Sequence, residues 1–77
     1  MNRDDLSPRE LEVLRLVADG LTTAQVGARL GISPSTVKHH MTTVCVRLRA
    51  ANRTAAVVEA LRRGLIELAV TASLAGH

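Results

Sequence analysis

Between Ser33 and Ala50 the chain gathers most of the groups that can do chemistry, and none of them is a carboxylate. At a helical repeat, Ser35, Lys38, His39, Thr42, Val46 and Arg49 fall on one arc roughly 100° wide, with His40 and Arg47 on a flank. Charge on a helix ordinarily marks a solvated face, but such faces mix signs. This arc offers cationic, imidazole and hydroxyl groups alone, which suits approach to a polyanion and hydrogen bonding to base edges. Other chemistries fit poorly. Ser35-Thr36-Val37-Lys38 matches a nucleophile motif of penicillin-binding enzymes, yet its companion motifs are missing. His39 and His40 are adjacent, so they point about 100° apart on a helix and do not share a metal easily. Paired carboxylates and a phosphate-cradling glycine loop are absent too. The expectation is a binding domain with no enzymatic activity, no metal and no cofactor.

The elements that must position this arc announce their own ends. The stretch from Gln25 to Val44 reads as a short helix, a tight turn and a second helix, the helix-turn-helix arrangement. The short helix spans Thr23 to Leu30, with Val26 and Leu30 as its buried stripe, and Gly31 stands where a left-handed residue ends it. Gly27 has to be small because the second helix crosses over it. Ser33 caps that helix and Pro34 takes its first position, where a missing N–H is no loss. Its core arc is Val37, Met41, Val44, Cys45 and Leu48. Upstream, Ser7-Pro8-Arg9-Glu10 is a capping box behind Leu6, opening a helix to about Asp19 with Val13, Leu14, Val17 and Ala18 inward. Thr22 to Gln25 forms a second capping box. Asn52 caps a fourth helix, which runs to Arg63 and stops at Gly64.

Composition narrows the class further. The chain has 77 residues and no aromatic side chain, so its core is aliphatic, which favours helix packing over sheet. Its net charge of +3 is unevenly placed. Residues 1–32 carry four Arg against five acids, whereas residues 33–63 carry six Lys or Arg against Glu59 alone. A basic half beside a near-neutral one points to an oriented anionic partner, nucleic acid before a membrane surface. Cys45 is the single cysteine, a small hydrophobe with no partner for an internal disulfide, which fits a reducing cytosol. No signal peptide or membrane span is evident, nor any small-molecule site. The expected architecture is all-α, a four-helix bundle around a central helix-turn-helix. An arm covers residues 1–5, the domain 6–65, and a helical extension or tail 66–77.

The fourth helix is apolar on two sides. Ala56, Val57 and Ala60 can bury against the domain, which leaves Thr54, Val58, Leu61 and Arg62 as an arc without an intramolecular partner. A homodimer seam is the reading preferred here, because symmetric dimers are the commonest assembly. The competing reading has the tail fold back over it through Leu65, Ile66, Leu68, Ala69 and Val70.

These segments together resemble the LuxR/FixJ/NarL-type, GerE-like helix-turn-helix domain. The likeness rests on L-S-P-R-E-x-E-V-L at 6–14, D-G-L at 19–21, L-G-I-S at 30–33, S-T-V-K-x-H at 35–40 and N-R-T-x-A-V at 52–57. The resemblance implies a transcriptional regulator that binds a roughly palindromic DNA site as a homodimer, with its third helix in the major groove. Carried over by position, Lys38, His39 and Thr42 contact bases. Thr22, Thr36, His40, Arg47 and Arg53 contact the sugar-phosphate backbone, and Ser35 and Arg49 join them. The seam falls on Thr54, Val58 and Arg62. Ala24, Gln25, Val46 and Arg49 depart from the pattern, the first and third where the family commonly has a cation and the last where it commonly has Gly. The alternative reading is a module that pairs with another regulator or with RNA polymerase. A sigma-factor region 4 also shares the helix pattern, but the N-R-T continuation argues against it. The expected location is the cytoplasm of a bacterial-type cell, at the nucleoid.

Overall fold

The structure is a computed structural model that describes residues 6–67. Among these residues it contains four α-helices and no strand: α1 (Pro8–Ala18), α2 (Thr23–Leu30), α3 (Pro34–Leu48) and α4 (Arg53–Arg62). Each begins at a side-chain cap that satisfies a backbone N–H with no partner inside the helix. Ser7 Oγ accepts from the Glu10 amide at 3.1 Å, and Glu10 Oε1 accepts from the Ser7 amide at 2.8 Å. Thr22 and Gln25 repeat the exchange at 3.1 and 2.8 Å. Ser33 caps α3 and Asn52 caps α4 with single bonds of 3.1 and 2.8 Å.

The helix C-termini also share one device. At the ends of α1, α3 and α4 a residue just past the cap donates back to a carbonyl five residues earlier: Leu21 to Leu16, Ala50 to Cys45 and Leu65 to Ala60. After α2, Ile32 does the same to Gly27 at 2.9 Å. Such Schellman-type ends need a left-handed residue. Three of the four are Gly20, Gly31 and Gly64, while the fourth is Arg49 at φ 57°.

The long α3 lies in the middle and packs against each of the other three helices. Leu6, Val13, Leu14, Val26, Val37, Val44, Leu48, Ala56 and Ala60 are essentially sealed from solvent, and Met41 and Val17 nearly so. No core member is larger than Leu or Met. The helices therefore approach closely, and the small Ala56 and Ala60 let α4 settle onto α3.

Several details depart from the sequence-based expectation. The helix α1 stops at Ala18, with Asp19 as its cap, and Ala18 is only half-buried. Glu10 is 8% exposed because its carboxylate turns back to close the capping box. Gly27 is indeed under pressure, but from the turn and not from the body of α3. A Cβ there would lie 2.6 Å from the Ile32 carbonyl oxygen. The helix α4 ends at Arg62, and residues 63–67 are not helical. Ile66 nevertheless joins the core at 4% exposure, one residue past the boundary expected for the domain. Residues 1–5 and the remaining tail positions, Leu68, Ala69 and Val70 among them, lie outside the described residues.

Candidate nucleic-acid interface

The helix α3 is divided lengthwise. Val37, Met41, Val44 and Leu48 are buried, while Ser35, Lys38, His39, Thr42, Val46 and Arg49 are exposed on the other side. The helical arithmetic that grouped those six residues therefore corresponds to a real outer face. Thr36 and Arg47 are exposed beside it and His40 is half-buried on the flank. No acid interrupts this face. Glu59, the one acid of the basic half, sits on α4 and is already held by arginines. Its carboxylate accepts from Arg62 at 2.8 and 3.3 Å and from Arg63 at 2.6 Å. Those hydrogen bonds, from Arg62 first and then Arg63, hold the Glu59 carboxyl below the usual carboxylate range.

Hydroxyl protons on α3 are largely committed to the helix itself. Thr42 Oγ1 donates to the Lys38 carbonyl at 3.0 Å, and Thr43 Oγ1 to the His39 carbonyl at 3.2 Å. Thr42 thus faces outward as an acceptor. Lys38 supplies the complementary donor at the same angular position, one turn earlier. At the N-terminus of α3 the Ser33 and Thr36 hydroxyls lie 2.9 Å apart, one donating to the other.

Two expected backbone-contacting groups have other duties. Thr22 is exposed, but its Oγ1 accepts the Gln25 amide as the cap of α2. Arg53 reaches across from the start of α4 to the start of α2, where Nη2 donates to the Leu21 carbonyl at 3.2 Å. Its Nη1 stands 3.5 Å from Thr23 Oγ1. The guanidinium is exposed, so it retains donors for an outside acceptor while it tethers the two helix starts. Sequence reasoning missed this tether, since the partners are about 30 positions apart and nothing local links them.

On α4, Val58 is 56% exposed and Thr54 and Arg62 are exposed, whereas Leu61 is half-buried against the core. The arc read as unpartnered is thus narrower than expected, because Leu61 already has neighbours. A shallow groove beside Val58 brings in Val17 and Ala18 of α1, together with Val57, which the sequence reading had not placed there. Burial pushes the Cys45 thiol up, so it stays protonated at neutral pH. Among the described residues no group of three His, Cys, Asp or Glu could hold a metal, and no helix is long and apolar enough to cross a membrane.

Comparison with known proteins gives this geometry its family. Residues 4–60 match the family described as bacterial regulatory proteins, luxR family. The HTH-type quorum sensing-dependent transcriptional regulator RpaR of Rhodopseudomonas palustris is 46% identical over 68 residues, which is 88% of this chain and 28% of that protein. The transcriptional regulatory protein DegU of Brevibacillus brevis is 38% identical over 63 residues, 82% of this chain and 27% of that protein. This chain therefore spans little more than a quarter of the length of either relative. Among solved structures, the transcription factor GerE superposes with a TM-score of 0.78 at 31% identity, covering 80% of this chain and 92% of that one. The response regulator ChrA of a heme-sensing two-component system gives the same TM-score at 41% identity, over 86% of this chain and 33% of that one. On sequence and fold together, the chain belongs to the luxR family of bacterial regulatory proteins.

Proposed function

We propose that this chain is the DNA-binding domain of a transcription regulator, with no catalytic role, acting in the cytoplasm on duplex DNA. The observation that carries the reading is the outer face of α3: exposed, rich in donors and without a carboxylate, on a helix whose other side is fully packed. Membership of a family of regulatory proteins supports it.

In this reading α3 lies in the major groove, and Lys38, His39 and Thr42 meet base edges. Lysine donates to acceptors on guanine, and the Thr42 oxygen accepts from an exocyclic amine. Thr22, Ser35, Thr36, His40, Arg47, Arg49 and Arg53 surround that row and serve the phosphates, which set register without reading sequence. Two copies pair through Thr54, Val58 and Arg62 of α4, with Leu61 at the base of the seam, and so read a roughly palindromic site. The exposed Val58 also fits a second reading, in which α4 pairs with another regulator or with polymerase.

Selection from a random DNA pool tests both readings. A DNA reader enriches a site, and replacing Lys38 with Ala then weakens binding to it by about 1–3 kcal/mol and relaxes one base pair in each half-site. Enrichment of no sequence, or unchanged binding by the Lys38→Ala protein, rejects the groove assignment.

A further inference from the structure

Val46 is an apolar side chain in a polar row. It is 71% exposed and shares its face of α3 with Lys38 and Thr42. The three stand at i, i+4 and i+8, a row about 12 Å long at the rise of an α-helix. Val46 lies in the last turn of α3, and in the homeodomain variant of this arrangement base contacts extend over about two turns of the groove helix, close to the length of this row. Because the Thr42 hydroxyl donates to its own helix, the row begins with a cation and ends in carbon. Past Val46 the surface continues as a shallow depression lined by Met41, Cys45 and Ala50, with Arg49 and Arg53 alongside. The Cys45 thiol brings no anion to it, since burial pushes that group up.

Resting on the reading of α3 as the groove helix, we propose that Val46 reads the C5-methyl group of a pyrimidine in the major groove. That methyl is the one apolar feature the major-groove edge displays, and a valine gains nothing from a phosphate or a base donor. The two neighbouring guanidinium groups fit the charge of the flanking phosphates. Thymine and 5-methylcytosine carry the same group, and the source is separated by the design of the duplex.

The probe is a duplex selected from a random pool, in which each thymine is replaced in turn by uracil, a change that removes only the methyl. Burial of one methyl predicts binding about fourfold weaker at one position of each half-site. The Val46→Ser protein, altered at an exposed site, should keep the circular dichroism of the parent and bind thymine and uracil duplexes alike. At the sensitive position, cytosine and 5-methylcytosine are then compared. Tighter binding of the methylated base extends the recognition to it, and equal binding assigns the recognition to thymine. Indifference of the parent to uracil at every position overturns the inference, as does a Val46→Ser protein that keeps the full uracil penalty. Failure to bind any duplex at low salt is a different result, because it overturns the DNA-binding reading itself.

Discussion

Both connections that flank α3 pass through a left-handed residue, Gly31 at φ 72° before it and Arg49 at φ 57° after it. The backbone bonds match as well: Ile32 donates to Gly27 and Ala50 to Cys45, each at 2.9 Å. The residue types do not match. Glycine takes the left-handed region without steric cost, whereas a residue with a Cβ loses roughly 1–2 kcal/mol there. The first turn is specialised at every step, with Gly27, Gly31, the Ser33 cap and Pro34. The second holds a strained arginine and is steadied from outside, where Arg63 donates to the Leu48 carbonyl at 3.4 Å and is itself held by Glu59. The turn requires a left-handed residue there but not an arginine, so the strain it carries points to a use for the side chain. The phosphate contact proposed above for Arg49 would be such a use.

Four substitutions sharpen or break the contrast, beginning with the largest effect. Gly27→Ala sets a Cβ against the Ile32 carbonyl and should cost about 2–3 kcal/mol in urea unfolding. A loss below 0.5 kcal/mol, the range of ordinary surface changes, would show that the first turn yields easily. Gly31→Ala meets no neighbour within 4 Å, so only its dihedral matters, and it should cost about 1–2 kcal/mol. Arg49→Gly should move the other way, because relief of strain outweighs the added freedom of the unfolded chain by about 0.5–1 kcal/mol. The same substitution should make the logarithmic salt dependence of DNA binding shallower by about 0.9, the mark of one lost phosphate contact. An Arg49→Gly protein with unchanged salt dependence would leave the strain without its assigned purpose.

The smallest effect concerns acid. Glu59 has its folded pKa below the unfolded value, so its contribution is fully present above the ordinary carboxylate range. It disappears as pH falls through the lowered folded value. Glu59→Gln should flatten that part of the acid limb in thermal melts recorded across pH. An acid limb that keeps its slope in the Glu59→Gln protein would assign the dependence to other carboxyls.

What could be read without coordinates was local in sequence. Caps, the start and end of α3 and its division into two faces follow from spacings of three or four residues, which a helix turns directly into contacts. What escaped was long-range or depended on competition. The Arg53 tether and the Arg63–Leu48 bond join positions that share no periodic relation. Ile66 follows a helix stop, yet it returns to the core because the Schellman end of α4 reverses the chain there. Gly27 was understood in kind but not in detail, since spacing shows that room is needed and not which atom needs it. Leu61 was read as free because angles on one helix do not reveal how wide the neighbouring surface is.

The Arg53 tether has a mechanical side. It fastens the start of α4 to the start of α2, the first helix of the helix-turn-helix, by a route separate from the packing of α4 on α3. In the dimer proposed above, the Arg53 guanidinium would link the paired helix of each copy directly to the first helix of its own DNA-reading unit.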